Sequence, residues 1–368
     1  MRVVRLRALS LAVPAALLLA AAPLCGLDAG DGRVRLTLNE GMGRFSISCQ
    51  NKGSSGVYVP LLAAQDPRTT VLSIVVGNKL YRMGESSEFR EKAERVPGGA
   101  RFVWKSNFLE VIETFTFLPA LDSSVSTGVR VDLSMRNLSE QEISAGARFL
   151  LDTYLGEPGN VHFRASDGTQ ITRERSLAPA DKMQWWLSPI AGDPDGFGLQ
   201  VMTSGDGITV PDRVVFANWK RLSDTSWAYE TSGARDFSLL PYSMNDSAAA
   251  QYYEPRRIPR SGEATITLVL GLYSKAGYSA NAVVPASAPA PNDFGAVVQQ
   301  SLQGGQNAAD PGQAARSDLS ALNAILNEIN AKIGTPGSMP DDELSMIQSA
   351  LKDLDSRAGR YAPATPGK

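Results

Sequence analysis

Apolar and polar residues alternate along most of residues 30–280, with the period of two that is typical of half-buried β-strands. The clearest case is a run in which Val129, Val131, Leu133 and Met135 alternate with polar residues. A helix would scatter these four side chains around its circumference, so the pattern predicts a strand. Similar runs lie at 34–38, 45–49, 70–76, 101–104, 109–118, 147–151, 198–203, 208–216 and 264–272.

The spacing of these runs predicts the fold class. No clear amphipathic helix separates them, and glycine-containing turns such as 40–43 join neighbouring runs. Many short strands without intervening helices indicate a mainly β protein, with antiparallel sheets stacked as a large sandwich. About 250 residues fit one extended sandwich, a super-sandwich, or two adjacent sandwiches. The region contains no Pro/Ser-rich linker, which favours the single sandwich.

The composition changes at the end of the body. Residues 281–316 are rich in Pro, Ala, Gly and Gln, which predicts a semi-extended linker. Residues 317–357 then show helical periodicity, interrupted near Gly334 and Pro340, so we expect a two-helix hairpin followed by a disordered tail at 358–368. Its apolar stripes are Leu319, Leu322, Leu326, Ile329 and Ile333 on the first helix, and Leu344, Ile347, Leu351 and Leu354 on the second.

Two short helices bury barely enough apolar area to be stable alone. The stripes could cover this protein's own sandwich, or they could bind a protein partner or a second copy. A long tether is unnecessary for simple cover within the chain, so we expect intermolecular use.

The amino-terminal segment predicts export. Residues 1–29 begin with Arg2, Arg5 and Arg7, continue with an apolar run and end in small residues, as secretory signal peptides do. The run is shorter than the roughly 20 apolar residues of a spanning helix, which favours a cleaved signal over an uncleaved anchor, so we expect the mature protein to be periplasmic or envelope-associated without a transmembrane segment. Cys25 lies where a lipid could be attached, which would anchor the mature chain.

Charge and rare residues narrow the chemistry. The chain has 36 Lys and Arg residues and 38 Asp and Glu residues, and it has no basic tract long enough to bind nucleic acid. With one histidine, His162, and two cysteines, most metal sites and catalytic triads are excluded, so we expect no cofactor. The exception is calcium, because Asp193 and Asp195 flank a proline before a glycine, as in the start of a calcium loop.

Three segments carry a resemblance: Phe149–Gly156, Pro211–Trp219, and Asn245–Ala248 followed by Tyr252 and Tyr253. Together they resemble a pattern in uncharacterised exported bacterial envelope proteins with a β-sandwich body. The resemblance implies an envelope or surface module and brings no established activity.

The remaining candidate is a sugar site. Pyranose rings bind flat aromatic platforms flanked by polar groups. The chain offers Trp185, Trp186, Trp219, Trp227 and Tyr252, with Asp152 and Asp246. The alternative is that these rings only pack in the core, and adjacent Trp185 and Trp186 should point to opposite faces of their strand.

Three functions therefore stay open. The leading prediction is a non-enzymatic envelope scaffold with a tethered helical interaction module. The second is a carbohydrate-binding module, and the third is a sugar-active enzyme that uses a pair of carboxylates. Its candidate carboxylates are Glu110, Glu113, Asp132 and Asp152.

Overall fold

The computed structural model describes residues 26–51, 57–63, 69–193, 196–238, 246–282 and 341–358, together with positions 314, 318, 319, 321, 322 and 325. Within this part of the chain nineteen strands form three antiparallel sheets, which confirms the mainly β prediction. The predicted signal region up to Cys25, most of the predicted linker and all but the first residue of the predicted tail lie outside the described residues.

The elements follow in chain order. The strands are β1 (Gly26–Asp31), β2 (Val34–Asn39), β3 (Arg44–Gln50), β4 (Tyr58–Pro60), β5 (Val71–Val76), β6 (Lys79–Arg82), β7 (Arg90–Val96), β8 (Gly99–Lys105), β9 (Leu109–Pro119), β10 (Ser126–Asn137), β11 (Ile143–Thr153), β12 (Phe163–Ala165), β13 (Gln170–Ile171), β14 (Arg175–Leu177), β15 (Trp185–Pro189), β16 (Gly198–Met202), β17 (Arg213–Asn218), β18 (Ser247–Ile258) and β19 (Glu263–Leu272). The α-helices are α1 (Trp219–Asp224) and α2 (Asp341–Ala358).

Two large sheets make the sandwich. The nine-stranded sheet has the order β13-β12-β15-β16-β19-β10-β9-β8-β7, and the six-stranded sheet has the order β14-β17-β18-β11-β5-β6. The four amino-terminal strands pair consecutively in a smaller sheet. It includes the predicted opening hairpin, in which Leu36 of β2 lies opposite Ile47 of β3.

One apolar core joins the layers. Val129, Val131, Leu133 and Met135 of β10 are at most 2% exposed, as the alternation predicted, and they belong to the same cluster as Phe149 of β11. Side chains of the small sheet enter this cluster as well. The described strands of all three sheets therefore share one core.

The outer face of the six-stranded sheet is also covered. Leu150 of β11, Val215 of β17 and Ala250 of β18 point away from the main core and pack under α1, where Leu222 is fully buried. Asn218 caps this short helix, because its Oδ1 accepts a hydrogen bond from the Arg221 N–H at 3.3 Å. The sequence pattern did not predict α1.

The last strand of the body lies in the middle of the nine-stranded sheet. β19 pairs with β10 on one side and with β16 on the other. Gly128 and Gly271 face each other there, and a Cβ on Gly271 would lie 2.5 Å from the Gly128 Cα. Only glycine fits this close approach.

The first described residues form a strand. β1 starts at Gly26, and Ala29 is 9% exposed within the main core. The predicted signal segment 1–29 therefore overlaps β1. Cleavage after Ala29 would remove four of its six residues, Gly26, Leu27, Asp28 and Ala29, whereas cleavage after Gly26 would leave β1 nearly complete.

The carboxyl-terminal helices have a separate small core. Ile347 and Leu354 of α2 are buried with Ala321 and Ile325. Leu322 is partly buried against this cluster. Leu326, Ile329 and Ile333 of the predicted stripe lie outside the described residues. No helix in the described part of the chain is both long and apolar enough to cross a membrane.

Three leucines of the predicted stripes are exposed. Leu319 is 58% exposed, and Leu344 and Leu351 of α2 are 43% and 39% exposed. Ala314, which the sequence assigned to the linker, is helical and buried.

Candidate functional site

A cleft of about 820 Å³ lies where loops from distant parts of the chain meet at strand ends. It is lined by the β1–β2 turn, the residue after β3, the β9–β10 loop, the β15–β16 loop and the segment that follows β19. Its volume falls within the roughly 300–1,000 Å³ of small-molecule sites. The strand order of the nine-stranded sheet brings these loops together, since β16, β19 and β10 are direct neighbours.

The cleft carries charges of both signs. Arg33 and Lys275 supply positive charge, while Asp122 and Asp193 supply negative charge. The Ser274 hydroxyl donates a hydrogen bond of 2.7 Å to Asp122. Among the described residues, neither Asp193 nor Lys275 has a side-chain hydrogen bond or ion pair, so both remain available to a ligand.

The aromatic residue Tyr273 is part of the lining of the cleft. Tyr273 follows β19, is half-buried, and is held in place by a hydrogen bond from its N–H to the Gly198 carbonyl at 2.9 Å. Its ring centroid lies 5.7 Å from that of Trp185, and the Arg164 guanidinium carbon lies 5.5 Å from it. The lining thus combines polar groups with two aromatic residues, Tyr273 and Phe197, a combination that suits a polyhydroxylated ligand.

Gly196 makes room for the Asp193 carboxylate. A Cβ on Gly196 would lie 1.9 Å from Asp193 Oδ2, so any larger residue would displace the carboxylate. Asp195, the other predicted calcium ligand, lies outside the described residues. The described part of the chain holds no group of three or more His, Cys, Asp or Glu side chains arranged for a metal ion.

The adjacent tryptophans Trp185 and Trp186 point to opposite sides of β15. Trp186 is fully buried in the main core, with its ring 5.7 Å from Phe163 and 5.8 Å from Phe216. Trp185 is half-buried on the other side, near the cleft. Of the pair, only Trp185 is near solvent.

The other predicted aromatic residues lie elsewhere. Trp219, Trp227 and Tyr252 meet on the outer face of the six-stranded sheet. Both indole N–H groups are engaged within the protein, Trp219 to the Thr69 carbonyl at 2.9 Å and Trp227 to Glu254 at 3.0 Å. These rings therefore fasten α1 and the segment after it to the sheet.

Asp152 and Asp246 lie near one end of β18. Asp152 is 7% exposed at the end of β11, where its carbonyl accepts a hydrogen bond from the Ala63 N–H at 3.1 Å. The Asp246 carbonyl accepts one from the Trp219 N–H at 3.0 Å. Neither residue lines the cleft, so the structure divides the predicted sugar-binding set among several places.

The candidate catalytic carboxylates also diverge. Glu110 and Asp132 face outward, where Glu110 pairs with Lys105 at 3.4 Å and Asp132 accepts a 2.6 Å hydrogen bond from Thr267. Glu113 points into the core between the sheets and is 1% exposed. Its Oε1 has no hydrogen-bond partner among the described residues, and burial raises the pKa of this carboxyl to about 8.

His162 and Cys49 are buried. His162 is 4% exposed, with its ring 4.6 Å from Phe237, and burial lowers its pKa to about 4. Cys49 is fully buried and unpaired, and burial raises the pKa of its thiol to about 12. Both groups are therefore neutral at pH 7, and neither lines the cleft.

Sequence reasoning found only part of this site. Asp193 was predicted as a calcium ligand, but Tyr273, Asp122, Arg33 and Lys275 were not singled out. Each comes directly before, after or between strands at widely separated positions. The polar residues in the β9–β10 loop and after β19 are visible in the sequence, but the sequence does not reveal that these two segments lie close together.

Solved structures provide a comparison at low identity. No protein-family model matches the sequence, and no curated protein matches it. A galactose mutarotase related enzyme from Lactobacillus acidophilus is similar in structure, with 10% identity and a TM-score of 0.34 over 69% of this chain and 99% of that one. A galactose mutarotase-like protein from Lactobacillus casei matches with 10% identity and a TM-score of 0.36, over 68% of this chain and 100% of that one.

A protein from Synechocystis gives a TM-score of 0.39 at 11% identity, over 67% of this chain and 95% of that one. At such low identity the activities of these proteins are not assigned to this chain.

Proposed function

We propose that this protein binds a carbohydrate in the cleft beside Tyr273. The observation that carries the proposal is the lining itself, which combines the charged residues Asp122, Asp193, Arg33 and Lys275 with the half-buried Tyr273. Carboxylates and cationic side chains hydrogen-bond to sugar hydroxyls, and the ring offers an apolar platform for a pyranose face.

The test is a glycan array with the mature protein, followed by calorimetric titration of the glycans that bind. Tyr273→Leu removes the ring but keeps apolar volume against Trp185, whereas Tyr273→Phe keeps the ring. We expect the leucine variant to bind about ten-fold more weakly, about 1.4 kcal/mol, and the phenylalanine variant to bind nearly as well as the parent.

Asp193→Asn tests the charged wall of the cleft, and Asp224→Asn, which alters a 60% exposed carboxylate on α1, is the matched control. We expect only Asp193→Asn to weaken binding. An array without signal, or equal affinities for all four variants, would contradict the proposal.

We propose a second role for the carboxyl-terminal helices, namely contact with a protein partner or a second copy of the chain. The exposed side chains of Leu319, Leu344 and Leu351 support this role, because apolar groups on a helix surface favour burial against another molecule. Leu344→Ser combined with Leu351→Ser should abolish association in a pull-down or in analytical ultracentrifugation. Lys352→Ser on the same helix is the control, and unchanged association in the leucine variant would reject this role.

We propose that the protein acts in the bacterial envelope or periplasm after export. The three arginines and apolar run of the amino-terminal segment support this location. Cell fractionation tests it, and mass spectrometry of the mature amino terminus would distinguish a free chain from one lipidated at Cys25. Recovery of the full-length chain in the cytoplasm would contradict export.

A further inference from the structure

A row of polar residues crosses the outer face of the six-stranded sheet, away from the cleft. Directly paired positions place Arg82, Ser73, Arg148, Tyr252 and Arg213 side by side on β6, β5, β11, β18 and β17. Residues directly opposite each other in adjacent strands share a face, so all five side chains lie on the same side of the sheet. α1 and the segment after it cover the middle of this row.

Arg148, at the centre of the row, is 0% exposed. Its Nη1 donates long hydrogen bonds to Thr225 Oγ1 at 3.3 Å, to the Trp227 carbonyl at 3.4 Å and to the Thr225 carbonyl at 3.5 Å. Its Nε and Nη2 have no partner among the described residues. These two nitrogens form one edge of the guanidinium, the edge that binds two oxygens of an anion side by side.

The row carries more positive than negative charge. Arg82 lies 3.7 Å from a carboxylate oxygen of Glu85, and Arg213 lies 3.3 Å from one of Glu254. Arg148 has no carboxylate partner in the described part of the chain. A buried charge without a counter-charge strongly destabilises a fold, so a bound anion beside Arg148 would stabilise this protein.

Two further polar groups beside Arg148 lack partners. Ser73 is 0% exposed, and its Oγ makes no hydrogen bond with the described residues. The Arg148 guanidinium carbon lies 5.9 Å from the centroid of the Tyr252 ring, and the Tyr252 hydroxyl makes no hydrogen bond with the described residues. Both hydroxyls can donate to an oxygen atom.

We propose that the free edge of Arg148, together with the hydroxyls of Ser73 and Tyr252, binds a small oxyanion: a phosphate, sulfate or carboxylate group. The anion neutralises the buried arginine and fastens the α1 cover to the sheet. This site is independent of the cleft and of the carbohydrate proposal.

The test uses the mature protein with its carboxyl-terminal helices intact, exhaustively dialysed into chloride buffer. Its thermal midpoint is measured against sodium phosphate, sodium sulfate and sodium acetate at constant ionic strength. We expect at least one of these oxyanions to raise the midpoint in a saturable manner, because a ligand that binds only the folded state stabilises it. Equal midpoints in all four salts would overturn the proposal.

Variants locate the effect. Ser73→Ala should leave the fold intact and weaken the apparent anion affinity about five-fold, as expected for one lost hydrogen bond. Arg148→Met should abolish the response, and Arg257→Met, which replaces an 84% exposed arginine of the same sheet, should respond like the parent. If Arg148→Met fails to fold, Ser73→Ala decides, and an unchanged affinity in that variant would overturn the proposal.

Discussion

Replacing Glu113 with glutamine should stabilise the protein at neutral pH. The carboxyl lies in the core between the two large sheets, and burial raises its pKa from 4.5 to about 8, while Arg44 acts in the opposite direction. The folded protein therefore holds a proton on Glu113 at pH 7, whereas the unfolded chain releases it. An acidic group whose pKa is higher in the folded than in the unfolded protein lowers the stability as the pH rises from the unfolded-state pKa to the folded-state pKa.

The magnitude follows from the interval between the pH and the unfolded pKa. Each pH unit between pH 4.5 and pH 7 costs at most about 1.4 kcal/mol, and because the unfolded carboxyl is only half ionised at pH 4.5, the cost accumulated over this interval is about 3 kcal/mol. Glu113→Gln cannot ionise, so this cost disappears. We expect the free energy of unfolding of the variant, relative to the parent, to increase by about 3 kcal/mol between pH 4.5 and pH 7.

Guanidinium unfolding at several pH values measures this difference. Glu110→Gln is the matched control, because Glu110 lies on the same strand but faces outward beside Lys105. Its free-energy difference from the parent should stay nearly constant over the same range. If Glu113→Gln were less stable than the parent by the same amount at every pH, Glu113 would be an ionised partner of Arg44, and the reasoning would fail.

Further predictions concern the cleft and the core. Gly196→Ala should displace the Asp193 carboxylate and weaken glycan binding several-fold, whereas the stability should stay nearly unchanged; calorimetric titration and thermal melts measure these two quantities. In Gly233→Ala the new Cβ lies in open space, so neither the glycan affinity nor the stability should change. If Gly196→Ala bound the glycan as tightly as the parent does, the position of the Asp193 carboxylate would not matter for binding. Cys49 should resist alkylation by iodoacetamide at pH 8 in the native protein, because burial raises its pKa to about 12, and should react on unfolding. Rapid native labelling would mean that the core opens readily.

The sequence pattern predicted those strands in which only one face is buried. β2, β3 and β10 alternate cleanly because one side of each meets the core and the other is polar or partly exposed. β18 was missed because its first seven residues, from Ser247 to Tyr253, are buried on both faces, so no alternation is required. The cover that buries the second face is built around α1, a helix too short to show a periodic pattern.

The candidate site was harder to predict than the fold. Residues of the cleft come from turns near positions 33, 122, 193 and 273, and only the pairing of distant strands brings those turns together. Tyr273 looks like an ordinary strand-end aromatic in the sequence, whereas the conspicuous Trp186 is fully buried. Local patterns report which side of a strand is apolar, and they do not report which loops meet.

The central place of β19 affects when the protein can fold. Without that strand, β10 and β16 each present an unpaired edge, and the nine-stranded sheet consists of two unconnected halves. β19 ends at Leu272, so a chain that emerges from its amino terminus completes its main sheet only after nearly the whole body is made. Late closure of this kind leaves the edges of both half-sheets unpaired while the body is being made, so pairing of either edge with another chain competes with folding until β19 inserts.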